Sequence, residues 1–291
     1  MKQRLDAVLV ERELCDSRQQ AQRLIRAGAV QVNRVVIDKP GTLILSDAEI
    51  KLKEKSPYVS RGGEKLVKAL SEFKIEVTGR ICLDGGISTG GFTDCLLQAG
   101  AQQIYGIDVG YGQVDWRLRN DPRVILRERT NLRHLTPEQL YGEPSAPLAK
   151  GRIEDHTNLK PMEYPYPDLA VVDVSFISLT KVLPALWQLL QLPREAILLV
   201  KPQFEVGRER VGKKGVVRDL TDQAQAIFQV GDAAQALGWC YQGLTWSPIL
   251  GPAGNIEYLL WLKAEGQTFP SLEQLNQFTQ SAYQNLVKSP A

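Results

Sequence analysis

A chain of 291 residues, 43% hydrophobic and 23% charged, has the composition of a soluble globular protein and is long enough for two cores. No apolar run reaches the ~18 residues a spanning helix needs, the N-terminus lacks a signal peptide's long apolar stretch, and no CxxC or histidine spacing suggests a metal site. The expectation is a cytoplasmic protein with no membrane partner, no metal and reduced thiols; nothing points beyond a monomer.

The net charge of +2 is unevenly spread. Residues 1–68 carry 14 Lys and Arg against 9 Asp and Glu, a surplus of five, and the remainder carries 21 against 24, a deficit of three. A basic front on a slightly acidic body fits either a polyanion-binding module or a solvated charged surface. In chain order, RLDAVLVERE places Leu5, Val8 and Leu9 at helical spacing. SRQQAQRLIRAG follows, with Ser17 as N-cap, Ala21, Leu24 and Ile25 as the apolar face and Gly28 as C-cap. Arg18, Arg23 and Arg26 stay off that face. AVQVN and VVIDKP alternate like two strands turning at Asn33-Arg34, and LILSDAEIKL completes a small α+β module over residues 1–55. KSPYVSRGG, around 56–63, reads as a linker because Pro57 and two glycines interrupt regular structure.

From residue 80 the pattern changes. The apolar runs RICLDGG, QQIYGIDVG, RVILRER, DLAVVDVSF and AILLVKP alternate with helical segments such as GFTDCLLQAGA and LTKVLPALWQLLQ. Continuous apolar strands between helices indicate an α/β fold, a mostly parallel sheet covered on both faces. After the helix DQAQAIFQVGDAAQALG, the segments YQGLTWSPI and NIEYLLWLK, joined by GPAG, read as a closing antiparallel hairpin. The domain would span 64–270, leaving 271–291 as a C-terminal helix or tail. Residues 141–167 carry five prolines and no period, which suggests an insertion or flap containing His156.

The stretch LDGGISTGGFTD holds four glycines in seven residues, costly in conformational entropy unless a backbone must approach something closely. It is neither a P-loop nor a GxGxxG fingerprint. Asp108 ends the next strand about twenty residues on, where an acidic side chain reaches ribose hydroxyls. S-adenosylmethionine needs that contact and has no pyrophosphate, so a glycine loop of this spacing suits it. Lys201 and Asp173 end neighbouring predicted strands on the edge where open α/β sheets bind ligands. They form either a structural ion pair or part of a reaction centre. Glu257 lies in an apolar late strand, where an unpaired glutamate is uncommon. The loop EVGRERVGKKGVVR after Lys201 is basic and glycine-rich: a lid on RNA phosphates, or a solvated loop.

The motifs SRGGEKL, STGGFTD, DVGYGQVDWRLRNDPRV, ERTNLRHLTP, DVSFISL, LVKPQFEVG and GPAGNIEYLLWL together resemble the TlyA (haemolysin A) family of ribosomal RNA 2′-O-methyltransferases. In that family an RNA-binding module of the S-four type precedes an FtsJ-like methyltransferase domain. Gly85 and Ile87 depart from the family's usual Val or Ile and Ala. The resemblance implies S-adenosylmethionine as cofactor, ribosomal RNA or ribosomal subunits as partner, and a Lys65, Asp173, Lys201, Glu257 tetrad. Lys201 would be the base, with the cation of Lys65 and partial burial freeing some neutral amine. Asp173 would orient that amine and the hydroxyl, and Glu257 would hold Lys65 or the ribose. Gly86, Ser88 and Gly90 would surround the methionine end, Asp108 the ribose. Asn131 would meet adenine or cap a helix. Arg18, Arg23 and Arg26 would contact phosphates. The rival readings are a nicotinamide-dependent enzyme, which lacks its fingerprint here, a cytolysin, and an RNA-binding protein with an inactive methyltransferase domain.

Overall fold

The computed structural model describes residues 2–26, 28–33, 35–45, 47–52, 57–141 and 166–288. They fall into two compact units that divide after Pro57. Most of the proline-rich segment, including His156, lies outside the described residues, as do Arg34 and Lys53–Ser56.

In the first unit, β1 (Lys2–Arg4) runs into α1 (Leu5–Glu11), followed by α2 (Arg18–Arg26), β2 (Val30–Val32), β3 (Val35–Val36), β4 (Leu43–Leu45) and β5 (Ile50–Leu52). Ser17 caps α2 by accepting from the Gln20 amide, and Gly28, at φ 67, leaves the helix in the left-handed region that glycine favours. Asn33 takes the same region at φ 49 to turn β2 into antiparallel β3. Leu5, Val8, Leu9, Ala21, Ile25 and Val30 form the core between the helices and the strands.

The second unit begins with α3 (Gly62–Phe73), so the two glycines start a helix where the sequence suggests a linker. The reason is packing. A Cβ on Gly63 would lie 2.1 Å from the Tyr58 ring, and one on Gly91 would lie 2.3 Å from Ser60 Oγ. The segment 58–63 therefore beds against α3 and against α4 (Gly91–Gln98), and the Val59 amide donates to Asp94.

Between and beyond these helices run β6 (Ile81–Gly85), β7 (Gln103–Ile107), α5 (Trp116–Arg119), β8 (Val124–Arg127), α6 (Pro137–Tyr141), β9 (Leu169–Val172), α7 (Leu183–Leu189), β10 (Glu195–Val200), α8 (Pro202–Glu205), α9 (Leu220–Gln235), β11 (Cys240–Trp246), β12 (Tyr258–Lys263) and α10 (Leu272–Tyr283). The strands make one sheet in the order β11-β12-β10-β9-β6-β7-β8. β6 to β10 are parallel, and β12 pairs antiparallel with both β10 and β11, giving the expected final hairpin. Every residue of β9 and β10 is buried. Their side chains alternate between two cores, as the two-residue strand period requires. Ile197 and Leu199 meet Leu66, Phe92 and Leu96 of α3 and α4, whereas Ala196, Leu198 and Val200 meet Leu183, Leu186, Ile227 and Val230 of α7 and α9. Truncating one such fully buried leucine, Leu96 for example, costs about 2–5 kcal/mol. α10 packs on α9 through Leu275 and Ala282, and the Thr279 hydroxyl donates to the Leu220 carbonyl.

The order of strand addition reverses at β6: β7 and β8 extend the sheet to one side, β9 and β10 to the other. Connections at such a switch point leave in opposite directions and open a crevice at the C-terminal strand ends. The site lies there.

Candidate active site

β6 delivers the glycine loop. Gly86 sits at φ 86, and a Cβ there would fall 2.5 Å from the Asp173 carbonyl oxygen. Gly90, at φ 97, faces Leu118, which a Cβ would approach to 2.2 Å. These glycines are thus demanded by protein packing around the loop. Gly90 lines neither of the two larger cavities at this edge. Ile87 turns into the core beside Gly106 of β7, whose missing Cβ leaves it room. Ser88, at φ 49, is exposed, and its amide donates to Asp108 Oδ2 at 2.8 Å. Asp108 Oδ1 accepts from the Gly110 amide at 2.7 Å, so this carboxylate ties the loops after β6 and β7 together.

Two larger cavities meet at this edge, beside a smaller one of about 220 Å³ lined by Lys65, Gly86, Ser88 and Asp173. The first, about 520 Å³, is lined by Gly86, Ser88, Asp108 and Asn131 with Ile107, Val109, Leu132, Val174 and Ile177. Its mixed polar and aliphatic lining and its volume suit a cofactor-sized ligand. Asn131 caps the turn Leu132–His134, its side-chain oxygen accepting from the Arg133 amide at 3.1 Å, while still lining this cavity. The second, about 540 Å³, is lined by Lys65, Asp173, Lys201 and Glu257 with Gln203, Phe204, Val211, Gly215 and Asn255. Ser88, Asp173, Ser175 and Phe176 belong to both walls.

The four charged residues thus line one cavity, by four routes. Asp173 directly follows β9, Lys201 directly follows β10, and Glu257 directly precedes β12. Because β10 and β12 are antiparallel, with Val200 opposite Tyr258, the end of one strand meets the start of the other. Lys65 comes from the second turn of α3. They resolve into two pairs. Lys65 Nζ donates to Glu257 Oε2 at 2.6 Å, with the glutamate side chain only 1% exposed. Lys201 Nζ lies 2.5 Å from Asp173 Oδ1 and donates to Ser175 Oγ at 2.9 Å. The Asp173 side chain is 23% exposed, and its Oδ1 makes a charge contact with Lys201 without an aligned hydrogen bond. Both lysines are buried; of the two carboxylates, Glu257 is enclosed whereas Asp173 is partly exposed and lines both cavities.

Three further residues stand out here that the motifs did not single out as site residues. Ser175 holds the Lys201 ammonium. Phe176 is 91% exposed, sits at φ 65 and leans on Phe204 with ring centroids 5.2 Å apart. A bulky side chain in that region stores roughly 1–3 kcal/mol of strain, a feature that concentrates at ligand sites. Asp84, last but one in β6, is fully buried. Thr93 Oγ1 donates to its Oδ2 at 2.6 Å, its Oδ1 has no partner, and burial pushes its carboxyl up to about 7. The only sequence signal for Asp84 was a charge ending an apolar run, the same signal that marked Asp173 and Lys201.

In the first unit, Arg18, Arg23 and Arg26 are exposed along α2. Arg18 lies 3.4 Å from the buried Asp6, whose carboxylate also takes hydrogen bonds from Arg4 and Gln22. The Arg4 hydrogen bond holds the Asp6 carboxyl well below the usual carboxylate range.

A cofactor-sized cavity at the switch point shares a wall with the cavity of the two lysines and two carboxylates, an arrangement that suits an α/β group-transfer enzyme. Residues 58–264 match the model of the FtsJ-like methyltransferases, and residues 3–50 match the S4 domain. The TlyA 16S/23S rRNA (cytidine-2′-O)-methyltransferase of Mycobacterium tuberculosis is 46% identical over 90% of this chain and 90% of its own. Hemolysin A of Brachyspira hyodysenteriae is 38% identical over 88% of this chain and 98% of its own. A solved structure described as a candidate hemolysin from Streptococcus thermophilus superposes with a TM-score of 0.70 at 39% identity, covering 97% of this chain and 96% of that one. The chain belongs to the FtsJ-like methyltransferases, in the TlyA (haemolysin A) branch that carries an S4 domain ahead of the catalytic fold. Among the described residues no helix is long and apolar enough to cross a membrane.

Proposed function

We propose that this protein transfers a methyl group from S-adenosylmethionine to the 2′-hydroxyl of a ribose in ribosomal RNA, on a cytidine as its M. tuberculosis relative is named for. The observation that carries the reading is the shared wall: Asp173, Ser175 and Phe176 border both the cofactor-sized cavity and the cavity containing the two lysines. A donor in one and an acceptor in the other would meet at Asp173.

In this reading the cofactor's methionine end lies by Gly86 and Ser88, its ribose by Asp108 and its adenine between Leu132 and Asn131. S-adenosylmethionine supplies a methyl group made electrophilic by its sulfonium, so the protein's work is alignment and proton removal. Lys201, once its ammonium has given up one proton to solvent, takes the proton of the attacking hydroxyl as the methyl group is transferred and so returns to the ammonium form. Asp173 and Ser175 fix the direction of its nitrogen. Glu257 holds Lys65, whose cation borders the developing alkoxide. The exposed ring of Phe176, backed by Phe204, offers a face on which an unstacked base can lie. The module over residues 1–55 adds phosphate contacts from Arg18, Arg23 and Arg26, which position the RNA without reading a base. It raises the effective concentration of substrate at the domain over residues 64–270.

The test is incubation with cofactor carrying a tritiated methyl group and purified small and large ribosomal subunits, followed by nucleoside analysis. Label in a 2′-O-methylcytidine is the expected result. Label on a base, or none on either subunit, would defeat the proposal.

A further inference from the structure

The segment after α8, residues 207–218, places five cations within twelve residues: Arg208, Arg210, Lys213, Lys214 and Arg218, against the single acid Glu209. All five are exposed. Arg210 is drawn back toward the body by Asp222, 3.2 Å away. The same segment forms part of the acceptor cavity, since Val211 and Gly215 line it together with Lys201 and Asp173.

The segment is built into the fold. Val206 and Val217 bury their side chains with Ala226 of α9, and Val211 packs against them. Asn255, 1% exposed, accepts from the Val217 amide at 2.9 Å and donates to the Gly215 carbonyl at 2.8 Å. Gln223 donates to the Val217 carbonyl at 2.8 Å and is in turn bonded by the Tyr258 hydroxyl. Asn255 stands two residues before Glu257. Buried side-chain amides that bond loop backbone in this way fix its course. A strongly basic strap is thus held at the rim of the acceptor cavity, Lys213 and Lys214 beside the cavity-lining Gly215.

We infer that residues 207–218 form a phosphate clamp that grips the RNA backbone flanking the nucleotide in the acceptor cavity, with Lys213 and Lys214 as its main contacts. The inference rests on the methyltransferase reading above and adds to it a second RNA surface, separate from the arginines of α2. Charge complementarity selects the partner. A nucleotide chain entering the cavity carries a phosphate on each side of the ribose, and the strap offers cations at that rim. An acidic protein would match the charge, but not the cavity that the strap borders.

The experiment compares the full-length parent with the double variant Lys213→Gln/Lys214→Gln, since these exposed side chains make no contact on which folding depends. Binding to purified ribosomal subunits is followed by filter retention across a salt series, and methyl transfer is measured in parallel. The expected result is a roughly tenfold loss of subunit affinity at moderate salt. The plot of log affinity against log salt should be shallower by roughly 1.4, two contacts at about 0.7 each for single-stranded RNA. The loss should fall on the KM for subunits, with cofactor affinity by calorimetry equal to the parent's. Unchanged subunit affinity and salt slope would overturn the clamp. So would a variant that loses binding to polyglutamate while keeping that to subunits, which would assign the strap to an acidic protein. A parent that binds subunits with the steeper slope but transfers no methyl group would strike the functional reading alone and still support the clamp.

Discussion

The sheet carries charged clusters at both ends, and the one at the C-terminal ends of the strands lines a cavity. At the N-terminal edge, Arg80 donates to Asp168 at 2.8 Å and to Glu195 at 2.6 Å, Trp261 donates to Glu195 at 2.6 Å, and Lys263 lies 3.3 Å from the same carboxylate. At the C-terminal edge, Lys201, Asp173, Lys65 and Glu257 come from or next to three of the same strands and from α3. The ingredients are nearly identical. Neither cluster is fully closed, since Asp168 is as exposed as Asp173 and Arg80 Nη2 also lacks a partner. The difference lies in the acceptor and its surroundings: Glu195 accepts from protein donors on both oxygens, whereas Asp173 keeps an oxygen without an aligned donor and lines two cavities. Charge at a strand end marks where chemistry can be held. Incomplete satisfaction beside a cavity is what the proposed reaction would draw on.

That contrast breaks if substitutions at the two ends behave alike. The largest separation is expected from Lys201→Ala, which should lower turnover on ribosomal subunits by roughly 10²–10⁴-fold, the range of a lost general base, while calorimetry finds cofactor binding retained. Turnover within a few-fold of the parent would place Lys201 with the structural pairs. At the other edge, Arg80→Ala should strip Asp168 of its partner and leave Glu195 to Trp261 and Lys263, at a cost of about 3 kcal/mol of stability in denaturant unfolding, the low end for breaking a buried ion pair. Activity per folded molecule should hold. A stable variant with collapsed turnover would reverse the assignment of the two edges.

Asp84 sharpens the comparison, because it lies in the strand between the two edges. Its carboxyl is raised to about 7 in the folded state by burial and has its ordinary low value once unfolded. The folded chain therefore holds a proton that the unfolded chain releases as pH climbs from about 4 to 7, so this group lowers stability progressively over that window. The penalty is complete above about pH 7 and amounts to about 4 kcal/mol for a shift of roughly three units. Asp84→Asn should flatten the decline and leave the protein more stable than the parent at pH 8, as read by urea midpoints across pH. A parallel pH profile for parent and variant would refute it.

Much of this was legible in the sequence because strand ends carry it. The apolar runs ending in Asp173 and Lys201 gave both the parallel sheet and two of the charged residues. Ser17 and Gly28 bounded α2 as caps should, and GPAG marked the final hairpin. What stayed hidden depended on distant contacts. Gly62 and Gly63 read as helix breakers, since nothing local discloses that the Tyr58 ring lies where a Cβ would be. The role of Gly90 depended on Leu118, twenty-eight positions later. Ser175 and Phe176 sat inside a quoted motif, yet the bond from Lys201 and the strained backbone exist only once β9 and β10 lie side by side.

The fit between Ile87 and Gly106 reaches beyond its own contact. The isoleucine occupies space that an alanine at 106 would already fill, so the crossover after one strand and the middle of the next are cut to a common shape. Grafting the bulky loop alone onto a relative with a larger residue at the matching strand position would wedge the crossover outward and distort the floor of the cofactor-sized cavity. In an engineered chimaera the two positions would have to be moved together.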